Sequence, residues 1–430
     1  MRKISLFFVV SLLSVMAHAE LMIEITHGAD NPIPIAISPF SWSGGGILPE
    51  DVSSIVESDL RRSGQFDVLN KDNMLSFPDT PLKVFYRDWQ ALGRQYLVVG
   101  RIYPAGDFYE AKYNLIDIVS QKPMMAEYTV KVSKRGLRDM AHKISDVVYE
   151  KITGIRGVFS TKMLYLERQS LGNARFDYQL ILADSDGARP QKVLESREPI
   201  MSPAWAPDGK RIAYSAFENG HPSIYIQTLA TGAREKLTHF KGINSSPAWS
   251  PDGTRLAMTL SKDGTPDIYV MDLATRKLTK LAANNFAIDT EPQWMPDGKS
   301  LVFTSNRGGQ PQIYQVEVNT GYVKRLTFEG DYNARARVLP DGSGLIMVHR
   351  NKGDFKIARL DLKRNRTFVL TNTQLDESPS IAANGVLILY ATKRGGNVML
   401  AAVNINSLAA YNLPYQGRDV REPVWSPFLN

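Results

Sequence analysis

The chain has 430 residues, a formal net charge of +7 and no cysteine. This length suffices for two domains, and the missing cysteine excludes both a disulfide framework and a lipid-modified cysteine. The basic excess forms no run of lysine or arginine, so the charge pattern does not indicate nucleic-acid binding.

Residues 1–19 are predicted to be a cleavable secretory signal. Arg2 and Lys3 precede the apolar stretch Ile4–Met16, and Ala17-His18-Ala19 supplies the small residues of a cleavage site. The apolar stretch is too short to span a bilayer, and no other long apolar run follows it. We therefore predict an exported protein that begins near Glu20 and has no membrane span.

The next segment, residues 20–32, is predicted to be a short strand followed by a hinge. After Glu20, the apolar residues Leu21, Ile23 and Ile25 alternate with Met22, Glu24 and Thr26, which would lie on the other face of a strand. Gly28 and Asp30-Asn31-Pro32 then supply residue types that favour turns and loops.

Residues 33–155 are predicted to form a mixed α/β domain. A buried strand covers 33–37, and a helix opens with Pro49-Glu50-Asp51 in its first turn and stops at Gly64. The pattern then predicts a strand at 66–69, a short helix at 85–92, three strands at 96–100, 113–118 and 127–132, and a helix at 137–152 that Gly154 ends.

Residues 156–430 contain a repeated phrase, first complete as Pro203-Ala204-Trp205-Ala206-Pro207-Asp208-Gly209. It recurs about every 44 residues, a period typical of a propeller with four-stranded blades. The later copies begin at Pro247, Pro292, Ala336, Pro379 and Pro423. Asp-Gly favours a tight turn between two strands, and we expect the tryptophan to fill the space between neighbouring blades.

The two ends of this region predict how the ring closes. Lys162 to Leu194 contains three strands with no preceding copy of the phrase, while the last copy, at Trp425, is followed by no further strands. The C-terminal strand is therefore expected to enter the first blade as its inner strand, which removes open sheet edges. The predicted fold is an α/β N-terminal domain followed by an all-β six-bladed β-propeller closed by the C-terminal strand.

A search for catalytic and metal-binding motifs finds none. No Gly-x-Ser-x-Gly pentapeptide occurs. The histidines after residue 19 share no metal-binding spacing: His27, His142, His221, His239 and His349. We read the aspartates of the repeated Asp-Gly pairs as turn residues rather than calcium ligands. The sequence therefore predicts no catalytic residue, metal or cofactor.

The loops that enter the inner strands are the candidate functional surface, because in a propeller they surround one mouth of the central channel. They carry acidic, arginine and small polar residues: Pro199–Ser202, Ile243–Ser246, Asp289–Glu291, Asn333–Arg335, Asp376–Ser378 and Arg421–Glu422. Such a ring suits a protein or peptide partner better than an apolar metabolite. The alternative is that these loops are merely solvated.

The cleavable signal, the α/β domain and the Pro-x-Trp-Ser-Pro-Asp-Gly propeller together resemble the TolB family, the periplasmic component of the Tol-Pal system of Gram-negative bacteria. The resemblance covers the whole chain. It is supported by Met201–Trp205, Asp267–Leu273, Thr290–Trp294, Leu375–Pro379, Pro423–Leu429, Pro49–Val52, Asp59–Arg61 and Ser63–Phe66.

The resemblance implies a non-enzymatic periplasmic adaptor that supports outer-membrane integrity and constriction during cell division. It implies that the mouth binds the lipoprotein Pal through Asn244, Ser246, Thr290, Glu291, Arg335, Asp376 and Glu377. It also implies that Glu20–Thr26 is a switch segment, docked between the domains or released to TolA. Other outer-membrane proteins and colicins are further implied partners.

The chain departs from the family pattern in the fourth copy of the phrase, where Ala336 and Val338 replace proline and tryptophan, and at Ile243 and Arg335 in the mouth. An alternative from another class is a propeller enzyme that processes carbohydrates or peptides. Glu291 and Glu377 would then be its carboxylate pair, although the sequence sets no distance between them. Turnover of a substrate would distinguish the enzyme from the adaptor.

Overall fold

The computed structural model describes residues 31–281, 286–414 and 418–429. The predicted signal, residues 1–19, and the predicted switch segment, Glu20–Thr26, lie outside the described residues. Within the described ranges, no helix combines the length and the apolar character needed to cross a bilayer.

The N-terminal domain is mixed α/β, as the sequence predicted, and its helices pack on both faces of one sheet. Its elements are β1 (Ile33–Ile37), β2 (Ser41–Trp42), α1 (Val52–Arg62), β3 (Phe66–Val68), α2 (Tyr86–Ala91), β4 (Tyr96–Ala105), β5 (Phe108–Asp117), β6 (Lys122–Pro123), β7 (Tyr128–Ser133) and α3 (Leu137–Thr153). The sheet order is β3-β1-β4-β5-β6, with β2 beside β4 and β7 beside β5. Strand β1 is parallel to β3 and β4, whereas β4, β5 and β7 are antiparallel.

Helices α1 and α3 cover one face of this sheet with buried side chains that include Val56, Leu60, Ile144 and Val148. The prediction placed residues 49–51 inside the first turn of α1, and this is wrong. Asp51 is instead the N-cap, and its carboxylate accepts hydrogen bonds from the backbone N–H groups of Ser53 (3.0 Å) and Ser54 (3.2 Å). Helix α3 ends as predicted at Gly154, whose φ is +73°.

The partly buried carboxyl of Glu57 in α1 is expected to make the stability of the fold depend on pH. Burial raises the pKa of Glu57 to about 7, against the opposing charge of Arg61. Because the folded state holds this proton more tightly than the unfolded state does, stability falls as pH rises from about 4.3 to 7. We therefore expect the free energy of unfolding of Glu57→Gln, taken relative to that of the wild type, to be about 2 kcal/mol higher at pH 8 than at pH 4. Chemical denaturation at the two pH values measures this difference. The exposed Glu150→Gln is the control, and equal gains at both pH values would contradict the prediction.

The propeller follows as six four-stranded sheets, called blades I to VI in chain order. Blade I contains β8 (Lys162–Ser170), β9 (Phe176–Asp184) and β10 (Gln191–Ser196), and blade II contains β11 (Ile200–Trp205), β12 (Arg211–Glu218), β13 (His221–Thr228) and β14 (Arg234–Thr238). Blade III contains β15 (Asn244–Trp249), β16 (Arg255–Leu260), β17 (Asp267–Asp272) and β18 (Leu278–Leu281). Blade IV contains β19 (Asp289–Trp294), β20 (Ser300–Ser305), β21 (Gln312–Glu317) and β22 (Val323–Arg325).

Blade V contains β23 (Tyr332–Val338), β24 (Gly344–Arg350), β25 (Lys356–Asp361) and β26 (Arg366–Val369). Blade VI contains β27 (Gln374–Ile381), β28 (Leu387–Arg394), β29 (Asn397–Asn404) and β30 (Ala410–Asn412), and the last strand is β31 (Asp419–Trp425). Strand β31 pairs antiparallel with β8, with Trp425 opposite Met163, and gives blade I the order β10-β9-β8-β31. The predicted closure by the C-terminal strand is confirmed.

The repeated tryptophans lie between blades, as predicted. The indole N–H of Trp294 in blade IV donates to the Ala248 carbonyl of blade III (3.1 Å), and that of Trp205 in blade II donates to the Val424 carbonyl of blade I (3.2 Å). Trp294 also packs in one apolar cluster with Ala257 and Ile268 of blade III. Each tryptophan thus links its own inner strand to the preceding blade.

The α/β domain rests on the face of the propeller formed by the turns within blades. The Asn404 side chain of blade VI donates to the Ser63 carbonyl (2.8 Å), and that of Asn384 donates to the carbonyl of Arg156, just after the α/β domain (3.1 Å). Gly64 allows the close approach, because a Cβ there would lie 2.3 Å from the Ala409 Cβ. The loops that enter the inner strands therefore open on the opposite face. The domain limits 33–155 and 156–430 remain a prediction.

Candidate partner-binding site

The six inner strands carry a β-bulge at equivalent positions. In each, the register with the second strand shifts. One non-glycine residue at each bulge has a φ between +46° and +57°, and we call these six the mouth ring: Ser202, Ser246, Glu291, Arg335, Ser378 and Glu422. A bulge with left-handed backbone redirects its side chain, and here the redirected side chains border the central channel.

Arg335 crosses the channel and joins the ring. Its Nε lies 2.9 Å from Glu291 Oε1 and its Nη2 lies 3.7 Å from Glu422 Oε1. Its Nη1 donates to the Ser378 hydroxyl. Burial alone would lower the pKa of Arg335, but the charges of these two glutamates raise it. One guanidinium therefore connects blades IV, V, VI and I.

Backbone N–H groups of the ring also donate hydrogen bonds to glutamates of neighbouring blades. Glu422 accepts a hydrogen bond from the Ser202 N–H of the next blade. Glu291 Oε2 accepts from the Arg335 N–H (3.1 Å) and from the Thr304 hydroxyl (2.9 Å). The charged ring therefore also holds adjacent inner strands together.

Below the ring, the channel encloses about 550 Å³ and is bordered by the prolines and tryptophans of the repeat. Arg337 lies along it and donates to the Ala336 carbonyl (3.1 Å). Burial lowers the pKa of Arg337, and the charge of Arg335 acts in the same direction. Both arginines therefore place positive charge along the channel.

The seven predicted contact residues fall into two groups. Partly exposed around the mouth are Ser246, Thr290, Glu291, Arg335 and Glu377. Asn244 and Asp376 are buried, with exposed fractions of 0% and 1%. Asn244 hydrogen-bonds the N–H and the carbonyl of Phe240 (3.1 and 2.6 Å).

Asp376 accepts from the Thr373 hydroxyl (2.8 Å) and the Thr392 hydroxyl (2.6 Å), and burial raises its pKa. Asp289 and Asn333 occupy the same position in blades IV and V and are equally buried. This position therefore anchors the entry loop in these blades, and the side chains of Asn244 and Asp376 face the protein interior.

An exposed apolar surface beside the ring was missed by the sequence reasoning. Six residues that precede or begin the inner strands of blades III to VI have exposed side chains, and we call them the apolar crescent: Phe240, Ile243, Phe286, Ile288, Phe328 and Leu375. Exposed large apolar side chains that recur on one face make that face a candidate interaction surface. The available signal was an aromatic or aliphatic residue in each otherwise polar entry loop.

In the part of the chain that is described, the side chains with a geometry suited to a metal ion are Asp59, His142 and Asp186, which lie between the two domains and not at the mouth. Arg62 pairs with both aspartates of this group. Its guanidinium therefore supplies the positive charge that a metal ion would bring.

Comparison with known proteins gives two family matches and close relatives. Residues 21–124 match the TolB amino-terminal domain, and residues 149–429 match the TolB beta propeller domain. The Tol-Pal system protein TolB of Pseudomonas aeruginosa is 51% identical over 427 residues, covering 98% of each chain. That of Pseudomonas fluorescens SBW25 is 49% identical over 420 residues, covering 97% of this chain and 96% of the relative. The chain belongs to the TolB family.

A solved TolB structure agrees with this assignment. The crystal structure of TolB from Acinetobacter baumannii has a TM-score of 0.87 and 41% identity, and the match covers 94% of this chain and 99% of that one. The resemblance predicted from the sequence is thereby confirmed. As a TolB-family protein, the chain is a component of the Tol-Pal system.

Proposed function

We propose that this protein is a non-enzymatic periplasmic adaptor that binds the lipoprotein Pal at the propeller mouth and so supports outer-membrane integrity and constriction during cell division. Export would follow cleavage of residues 1–19. Glu20–Thr26, or the α/β domain, would contact TolA, with the segment acting as a switch. Other outer-membrane proteins and colicins are further candidate partners.

The arrangement of the mouth is the observation that carries this proposal. The apolar crescent lies beside the charged mouth ring, on the propeller face that the α/β domain leaves open. Protein interfaces combine an apolar core with a polar rim in this way. The partly exposed Thr290 and Glu377 belong to the polar part of this surface.

The bonding of Glu291 favours an adaptor over a hydrolase. One of its carboxylate oxygens contacts the Arg335 guanidinium, and the other accepts two hydrogen bonds from Thr304 and the Arg335 backbone. A general base needs an oxygen within reach of a substrate proton. Because both of its oxygens already have partners, Glu291 is poorly suited to act as one member of a catalytic carboxylate pair.

Charged substitutions in the crescent are expected to weaken binding of the Pal periplasmic domain. Ile243→Asp and Phe328→Asp each place a carboxylate where an apolar contact would be desolvated, so we expect at least about a 10-fold loss of affinity, or 1.4 kcal/mol. Glu377→Lys should also weaken binding through charge reversal. Isothermal titration calorimetry measures the affinity.

Lys363→Glu, on a turn of the opposite face, is the matched control and should bind like the wild type. Thermal melting should be unchanged in all four variants, because the substituted side chains are exposed or partly exposed. Wild-type affinity in the three mouth variants would reject the mouth as the Pal site. Failure of the unmodified protein to bind Pal would reject the proposed function itself.

A further inference from the structure

A buried imidazole lies at the contact between the two domains. His142 of α3 is 2% exposed, and its Nδ1 lies 2.7 Å from Asp59 Oδ2 of α1. Its Nε2 lies 3.9 Å from Asp184 Oδ2 at the end of β9, in the propeller. The ring therefore stands between a carboxylate of one domain and a carboxylate of the other.

The hydrogen bonds that Asp59 accepts determine which nitrogen of the His142 ring carries a proton. Arg62 and the Ser145 hydroxyl also donate to Asp59, which is thus an acceptor only, and Nδ1 must carry a proton. On a neutral ring, Nε2 would then direct its lone pair towards Asp184. Among the described residues, Nε2 has no hydrogen-bond partner. The lone pair of Nε2 and the Asp184 carboxylate repel each other on a neutral ring. A second proton, on Nε2, replaces this repulsion by attraction between the two domains.

We propose that His142 is a pH-dependent lock, which holds the α/β domain against the propeller while both ring nitrogens are protonated and loosens that contact when Nε2 loses its proton. The lock adds to the fixed ion pairs around it. It does not depend on what the mouth binds.

The charged groups around the ring lie on two helices and on blade I. They are Asp59 and Arg62 on α1, Arg138, Asp139 and Asp146 on α3, and Lys162, Asp184, Asp186 and Arg189 on blade I, with the Tyr411 hydroxyl nearby. Burial alone would lower the pKa of His142, and so would Arg62. Asp59 and then Asp186 outweigh them and raise it above its ordinary value.

The sign of the pH dependence follows from this direction. A histidine whose folded pKa is raised contributes stability that is fully present below its unfolded pKa, near 6.5. That contribution is lost as pH rises through the folded pKa. The contact between domains should therefore weaken as pH rises through the folded pKa of His142, which lies above its ordinary value.

Nuclear magnetic resonance titration of the His142 ring in the full mature chain tests the protonation directly. The midpoint is expected above about 6.5, the ordinary value for histidine. A His142 midpoint below about 6.5 would mean a neutral ring in the folded protein and would overturn the proposal. This measurement needs no substitution of His142.

The motion of the domains is tested by fluorescence energy transfer between labels at Lys71→Cys and Lys299→Cys, two exposed positions in a chain that has no native cysteine. Between pH 6 and pH 9, the distance distribution should broaden in the wild-type background. His142→Gln should already be broad at pH 6 and change little, and His221→Gln should behave like the wild type. Equal pH profiles in the wild type and His142→Gln would reject the lock. If His142→Gln does not fold, the ring titration alone decides.

Discussion

Deletion of Val424 to Asn430 is expected to destabilise the whole propeller rather than blade I alone. The deletion removes Trp425, which is 5% exposed and whose indole N–H donates to Thr161 (2.7 Å). Its backbone N–H also bonds Ser380 of blade VI (2.8 Å), so the strand ties the last blade to the first. Loss of a buried tryptophan alone costs about 3–5 kcal/mol, and the opened ring also exposes an edge of β8.

The comparison variant is Trp249→Ala, which removes a buried tryptophan from blade III but leaves the ring closed. Thermal melting should show a larger loss for the deletion. Hydrogen exchange should distinguish the two further, because only the deletion should lower protection in blades far from β8. A truncated protein that melts like the full chain would show that β31 does not hold the ring together.

The fold was predictable because its signals are local and repeated. Each Asp-Gly pair specifies the turn between the first and second strands of its blade. Each tryptophan of the phrase occupies the same position near the end of the inner strand. Closure followed from the phrase at Trp425, which lacks its own three strands. The start of α1 was misplaced because Pro49, Glu50 and Asp51 are all residues that helix starts favour, and only the backbone shows that Asp51 is the cap.

The site was predictable only in part. The entry loops were located correctly, but Asn244 and Asp376 carry polar side chains that the sequence alone could not distinguish from exposed ones. Their burial depends on partners such as Phe240 and Thr392, which the blade brings close. The bulges were also hidden, because serine, glutamate and arginine give no sign that their φ is positive.

The charged contact between the domains left no pattern in the sequence either. Asp59, His142 and Asp186 lie on α1, on α3 and after β9, and only folding brings them together. Their spacing matches no motif. His142 shares no short metal-binding spacing with another histidine in the sequence, and the carboxylates beside its ring are evident only in the folded chain.

Breaking the buried ion pairs of this contact is expected to cost more than breaking any exposed pair. Asp186 is 5% exposed; it accepts from Arg138 and lies 3.2 Å from Arg62 Nη1, and Arg62 is equally buried. Asp186→Asn removes one carboxylate from the buried Arg62 and from the partly exposed Arg138, and removing one partner of a buried pair typically costs about 3–5 kcal/mol. Glu235→Gln, which removes the exposed pair with Arg276, is the control and should cost no more than about 1 kcal/mol.

Chemical denaturation at neutral pH measures both losses, and acid gives the second readout. Burial alone would raise the pKa of Asp186, but Arg62, His142 and Arg138 hold it well below its usual range. Because the folded pKa is depressed, this stabilisation is present above the unfolded pKa, near 3.9, and is lost as pH falls through the folded value. The wild type should therefore lose stability below pH 4 more steeply than Asp186→Asn. If Asp186→Asn is as mild as Glu235→Gln at neutral pH, the desolvation cost of the pair equals its attraction, and uncharged contacts such as the bond from Asn404 to Ser63 hold the domains instead.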